Sequence, residues 1–236
     1  MKHWRTTGGM EIFVILRSRC NVYLIKSGEH AVLFDSSMRM EAKRLARRLR
    51  AMGITRLDAL ILSHTHFDHV GNAAMIRKEF QTTVYVQQEE ARFLEQGRTP
   101  LPAGTNRATT TLMRLQKKRG NPSFPYPPCK ADNVVGNRLD LRPLGFNACL
   151  IATPGHSAGS MSIILEDEIA LVGDTLFGQV PWTTFPVFAD DVPQLMLSWE
   201  LLLKTSCRMF LPAHGRPIPR ERLEKSYAKK RIKYTQ

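Results

Sequence analysis

Three histidines and an aspartate fall within one short stretch, His64-Thr65-His66-Phe67-Asp68-His69, directly after the apolar run 57–62 (LDALIL). This juxtaposition constrains the fold more than anything else in the chain. A short apolar run reads as a buried strand. On a strand, residues i and i+2 share a face, so His64 and His66 can clasp one ion at the strand's end. Asp68 and His69 follow where the chain turns into a helix, and their side chains aim at a neighbouring position. Three imidazoles and a carboxylate are costly to bury together unless a cation pairs them. Imidazole with carboxylate suits zinc, with iron and manganese as alternatives. A merely polar, histidine-rich turn fits poorly, because the cluster grows out of an apolar strand and ends in Val70-Gly71.

The surrounding pattern is that of an α/β chain. Short β-rich runs at 11–17 (EIFVILR), 21–26 (NVYLIK) and 30–35 (HAVLFD) predict an antiparallel meander. A helix is expected over 40–52, stopped by Gly53, then a strand at 57–62, a helix over 68–80 and a strand at 83–87. The segment 97–130 breaks this rhythm with Pro100, Pro102, Pro122, Pro125, Pro127 and Pro128 around a basic patch. It reads as an insertion over about 97–132, acting as a lid or as a surface for a second copy of the chain. Strands resume at 139–142, 148–152, 160–165 and 169–172, followed by a helix at 192–204, a strand at 208–211 and a helix at 218–230. Mixed sheets layered with helices are the expected outcome, in one domain spanning 1–236.

Three later segments each carry a metal-binding residue type beyond an apolar run: Thr153-Pro154-Gly155-His156-Ser157, Val172-Gly173-Asp174-Thr175 and Leu211-Pro212-Ala213-His214-Gly215. Alone, each reads equally as a turn or an exposed loop. Their shared place at strand ends, where mixed-sheet folds gather functional loops, sets them apart. Taken together, His64-x-His66-x-Asp68-His69 with His156, Asp174 and His214 resembles the ligand series of the metallo-β-lactamase-fold hydrolases, over about 21–215. The resemblance implies a four-layer αββα sandwich of two mixed β-sheets flanked by helices, with two divalent metal ions at one edge. It assigns His64, His66 and His156 to a first metal, Asp68, His69 and His214 to a second, and Asp174 to a bridge. Water shared by two such ions about 3.5–4 Å apart is acidified towards a pKa of about 7, giving a hydroxide nucleophile. Asp68 is a candidate proton relay. Asp35 resembles the family's acidic residue behind the ligands, which would fix a histidine tautomer; a turn cap before Ser36-Ser37 is the alternative.

The runs 153–160 (TPGHSAGS) and 173–177 (GDTLF) are similar to the glyoxalase II-like branch, which implies ester, thioester or lactone substrates. Few residues follow His214, too few for the helical domain with which glyoxalase II grips glutathione. Asp174 with His69 fits the general hydrolases better than the antibiotic-hydrolysing lactamases. Lactonases share the ligand set, and Tyr126 is the candidate for their catalytic tyrosine. Phe177, Trp182, Phe185 and Phe188 form an aromatic stretch that suits either a hydrophobic wall beside the metals or ordinary core.

The formal charge of +13 favours anionic partners. It makes a nuclease or phosphodiesterase the second reading. The basic clusters in 39–56, at Lys117-Lys118-Arg119 and from 216 onward lack interleaved aromatic residues, however, and read as solvated faces. A small, anionic substrate is therefore favoured over nucleic acid. A mononuclear-iron persulfide dioxygenase, which uses part of the same ligand set, is a third reading. Cys20, Cys129, Cys149 and Cys207 form no CxxC pair, as expected of reduced thiols. No signal-like segment and no apolar run of about 18 residues is seen, so a cytoplasmic protein that spans no membrane is expected.

Overall fold

Successive residues of the central strands are buried on opposite faces, and this alternation decides the layering. The computed structural model describes residues 2–118 and 123–234; Arg119 and Pro122, named above, lie outside the described residues. Strands β1 (His3–Arg5), β2 (Glu11–Arg17), β3 (Asn21–Ser27) and β4 (His30–Phe34) pair antiparallel in chain order. Beside β4, strands β5 (Ala59–Ile61), β6 (Thr83–Gln87) and β7 (Asn133–Val135) add in parallel. Their crossovers carry α1 (Ala42–Ala51), α2 (Phe67–Val70), α3 (Ala73–Glu79), α4 (Gln88–Gln96) and α5 (Arg107–Lys118).

The second sheet holds β8 (Arg138–Asp140), β9 (Ala148–Ala152), β10 (Met161–Leu165), β11 (Ile169–Gly178), β12 (Met209–Gly215) and β13 (Ile218–Pro219), laid out as β13-β12-β11-β10-β9-β8. Only β11 and β12 run parallel, which requires the crossover helix α6 (Val192–Lys204). Helix α7 (Arg220–Tyr234) follows β13.

On β3 and β4, Tyr23, Ile25, Val32 and Phe34 face Leu150, Ile163 and Leu171 of the other sheet. Their neighbours Val22, Leu24, Ala31 and Leu33 point outward and pack with Leu45 and Leu49 of α1. Each of those helix leucines is fully buried and contributes roughly 2 kcal/mol. Across the second sheet, Ala170, Val172 and Phe210 pack against Leu195, Trp199 and Leu202 of α6. Helix, sheet, sheet and helix thus stack in four layers. On α1, the basic run becomes the solvent face: Lys43, Arg44, Arg47 and Arg50 are exposed while Leu45, Ala46 and Leu49 are buried.

Several boundaries differ from the sequence reading. The helix expected over 68–80 is two helices, because the chain at 36–39 crosses between them. Asn72 Nδ2 donates to the carbonyls of Ser36 (2.6 Å) and Met38 (2.8 Å). A Cβ at Gly71 would lie 2.5 Å from Arg39 N, so only glycine allows that approach. The strands expected to stop at Val172 and Leu211 run on to Gly178 and Gly215, with irregular register between Leu171 and Phe177. Helix α4 lies in a stretch the sequence reading left unassigned. The Gln87 side chain caps it by accepting from Glu89 N (2.6 Å), and Gly97 ends it in the left-handed region.

All four cysteines are free, and burial pushes the thiols of Cys129 and Cys207 up to about 11. At pH 8 such a thiol is only about 0.1% thiolate. Native protein is therefore expected to alkylate very slowly at both positions and rapidly once unfolded, measured by mass-resolved iodoacetamide labelling. Fast native labelling of either would contradict the buried placement. Among the described residues, no helix is long and apolar enough to cross a membrane.

Candidate metal centre

Every histidine and aspartate of the expected site converges at one edge of the two sheets. His64 and His66 follow the end of β5, His66 in extended conformation, and α2 then begins at Phe67, turning Asp68 and His69 inward. The loop after β9 brings His156. There Gly155 has φ +126°, and a Cβ on it would lie 2.3 Å from Leu195 N at the start of α6. Asp174 and His214 arrive on the parallel pair β11 and β12.

The ligand-capable atoms form overlapping sets. His64 Nε2 and His156 Nε2 lie 2.8 and 3.0 Å from His66 Nδ1. His214 Nε2 lies 3.6 Å from Asp68 Oδ2, and His69 Nε2 lies 3.9 Å from Asp68 Oδ1. Asp174 stands between the two sets. Its Oδ2 is 3.4 Å from His156 Nε2, while its Oδ1 is 3.5 Å from His69 Nε2 and 3.3 Å from His214 Nε2. The sets His64/His66/His156, His64/His69/Asp174 and Asp68/His69/His214 each gather within 4.8 Å.

Groups behind the histidines decide which nitrogen faces inward. Asp35 Oδ2 accepts from His69 Nδ1 (2.9 Å) and from the Ser63 hydroxyl (2.9 Å), and its Oδ1 accepts from Ser63 N (2.8 Å). With its proton given to Asp35, Ser63 Oγ accepts from His64 Nδ1 (3.0 Å). His156 Nδ1 donates to the Phe188 carbonyl (2.9 Å). The Nε2 lone pairs of His64, His69 and His156 are thereby turned into the cluster. Asp35 is fully buried with φ +64°, a strained conformation for a residue other than glycine. Its hydrogen bonds, rather than a cap on Ser36-Ser37, account for that residue type.

Burial, followed by repulsion from His69 and the other imidazoles, holds His64 well below the usual histidine range; burial and His156 do the same for His66. At His69 burial works against the charge, but Asp174 and Asp35 outweigh it and hold the imidazole well above its ordinary value. His214 is raised in the same way, with Asp174 its main support against burial. Asp174 is the mirror case: burial favours the neutral acid, yet His214, His69 and His156 hold the carboxyl well below the carboxylate range.

The donor set fits a divalent cation. Among the described residues, the buried atom His69 Nε2 has no hydrogen-bond partner, and Asp174 Oδ1 faces it at 3.5 Å. Unsatisfied buried polar atoms of this kind call for an ion or a water. Nitrogen and carboxylate donors converging from several elements suit zinc, iron or manganese.

Two residues that the sequence reading passed over support the site. Ser63 links Asp35 to His64, as described. Glu90 of α4 is buried, and its Oε2 accepts from Thr65 N (3.1 Å) and from the Thr65 hydroxyl, while Oε1 accepts from Gly159 N (3.3 Å). It ties the His64–His66 segment to the His156 loop. The only signal in the sequence is its helical spacing from Leu94, which places both on the buried face of α4.

A cavity of about 1000 Å³ opens above the cluster, reaching His66, Asp68, His156, Asp174 and His214. Phe177 and Phe188 line it, the Phe177 ring lying 4.9 Å from that of His214. The other two aromatics expected there lie elsewhere. Trp182 is 79% exposed, and Phe185 packs against Trp199 under α6, with ring centroids 5.8 Å apart. Tyr126 does line the cavity, but its hydroxyl is engaged by Thr99 Oγ1 (2.7 Å) and the Phe93 carbonyl (2.9 Å). Burial pushes it up to about 12, which leaves it a positioning group in this arrangement rather than an acid. Part of the 97–132 segment, including Leu101, Met113 and Phe124, supplies one wall.

A four-layer αββα sandwich with a histidine–aspartate metal cluster at its edge defines the metallo-hydrolase class. The chain belongs to the metallo-beta-lactamase superfamily, which it matches over residues 16–214. It is similar to the "Probable metallo-hydrolase YqgX" of Bacillus subtilis, at 28% identity over 160 residues and 67% of each chain. It is also similar to the "Hydroxyacylglutathione hydrolase GloC" of Haemophilus influenzae, at 30% identity over 181 residues, 75% of this chain and 76% of that one. Among solved structures, the BLEG-1 B3 metallo-beta-lactamase superposes with a TM-score of 0.66 over 95% of this chain and 97% of that one. At 23% identity, that likeness shows the fold alone.

Proposed function

We propose that the protein is a dinuclear, zinc-dependent hydrolase of esters or thioesters. The observation that carries this reading is the placement of Asp174, whose two oxygens face different histidine sets. His64, His66 and His156 would hold one ion, Asp68, His69 and His214 the other, and Asp174 would touch both. When bound, the ions supply Lewis acidity, acidifying water and polarising the oxygen that gains charge.

The chain's own residues do the rest. Asp35, Ser63 and the Phe188 carbonyl keep the Nδ1 protons away from the cluster, so Nε2 is ready to coordinate. An ion would have to displace the protons favoured on His69 and His214, so metal affinity is expected to weaken as pH falls. Asp68 lines the cavity beside His214 and is placed to hold or pass a proton there. Phe177 and Phe188 shield the reacting bond from bulk water.

An acyl substrate is favoured by the apolar cavity and by the name of the Haemophilus relative, itself that of a thioester hydrolase. The test is a panel of thioesters, esters, lactones, phosphodiesters and RNA offered to zinc-loaded protein. Thioester or ester turnover should exceed phosphodiester turnover by at least about tenfold in kcat/KM, roughly 1.4 kcal/mol. RNA or phosphodiester cleavage without acyl hydrolysis would replace this reading with the nuclease one.

A further inference from the structure

The cavity is larger and more apolar than a small acyl group requires. Its volume of about 1000 Å³ sits at the upper end of the roughly 300–1,000 Å³ typical of small-molecule sites. Phe67, Met113, Phe177 and Phe188 form the inner wall, and Met40, Leu112, Phe124 and Val187 continue it to the mouth. Those four mouth residues are 37% to 81% exposed. Large apolar side chains gathered at a solvent-facing mouth mark a binding surface. The Phe124 ring packs on Phe67 at 4.5 Å between centroids, so the apolar track is continuous from the mouth to the helix that carries Asp68. Methionine at 38, 40 and 113 gives that track adaptable side chains.

The same cavity is lined by two arginines. Arg19 and Arg39 are exposed, and neither has an ion pair among the described residues. Their turns are tied together, because the Ser18 hydroxyl donates to Glu41 Oε1 at 2.6 Å. Two guanidinium groups lining one cavity suit a phosphate or carboxylate.

We infer that the site takes an amphiphilic acyl thioester or ester, with a medium-to-long apolar acyl chain along the Phe67–Phe124–Leu112 track. The anionic thiol or alcohol part meets Arg19 and Arg39. This inference rests on the hydrolase reading of the same cluster. Water adds to the acyl carbon as the C–S or C–O bond breaks; the bonding pair leaves on sulfur or oxygen, which takes a proton. The products are a fatty carboxylate, a thiol or alcohol, and one released proton.

The experiment is calorimetric binding of non-hydrolysable S-alkyl thioethers of coenzyme A, from ethyl to decyl, with N-acetylcysteamine thioethers as the neutral series. Complete burial corresponds to roughly fourfold in Kd per methylene, so at least about twofold per methylene is expected here. The double variant Leu112→Asp/Phe124→Asp should flatten that slope. Arg19→Ala/Arg39→Ala should weaken the coenzyme A series about tenfold more than the neutral one. A Kd independent of chain length, or a slope that survives the double variant, overturns the inference. Turnover of a short neutral thioester, measured on the same preparation, separates the two readings. Turnover with a flat binding series leaves the hydrolase standing and removes the amphiphile. A steep series without turnover of any thioester keeps the acyl track and removes the hydrolase.

Discussion

Replacing Asp174 with alanine is expected to lower kcat/KM for acyl hydrolysis by at least about 10³-fold, since the stabilisation at stake is several kcal/mol. Its two oxygens lie within 3.5 Å of His156, His69 and His214, so it touches residues assigned to both proposed ions. The substitution also removes the main charge that sustains protonated His69 and His214 against burial. Those imidazoles then lose protons more easily, yet they also lose the carboxylate that would share an ion with them. Metal content should fall along with turnover, while β11, paired through its backbone to β10 and β12, keeps the fold. Unchanged metal content in the variant would remove the shared role assigned to Asp174.

Glu90→Ala carries the second large effect, and it acts on stability. The side chain satisfies Thr65 N, the Thr65 hydroxyl and Gly159 N, all deep beneath the metal loops. Leaving buried donors without an acceptor costs about 1–3 kcal/mol each, and partial relaxation brings the sum to about 3 kcal/mol. For a chain of this size that corresponds to a fall in Tm of roughly 6–12 °C. Thermal unfolding by circular dichroism reads it directly. Glu90→Gln keeps one acceptor and should fall between the two; an alanine variant within about 2 °C of the parent would contradict the network.

What the sequence made legible follows from where its periodicity is strong. Tyr23/Ile25 and Val22/Leu24 alternate faces along β3, so the two buried layers could be anticipated from the pattern of apolar residues. The cluster was legible because His64, His66, Asp68 and His69 are packed within one short segment, and because the later ligand types follow apolar runs. Asp35 was visible as a candidate, but its partner Ser63 was not, since a serine before a histidine has no spacing of its own to set it apart.

Other features depend on contacts between distant segments. The break between α2 and α3 exists because the chain at 36–39 crosses there, which no local propensity records. Glu90 reaches Gly159, 69 residues away in the chain. The aromatic stretch stayed ambiguous for a different reason. Residues 179–190 form no helix and no extended strand, so nothing local says that Phe188 faces the cavity while Phe185 turns to α6 and Trp182 to solvent.

The most direct test of a shared two-ion site is the metal content of purified protein, before and after zinc reconstitution, measured by inductively coupled plasma mass spectrometry alongside thioester turnover. Two zinc ions per chain, with activity lost on chelation and restored by zinc, is the predicted result. A single iron without zinc, in protein at full activity, would contradict it.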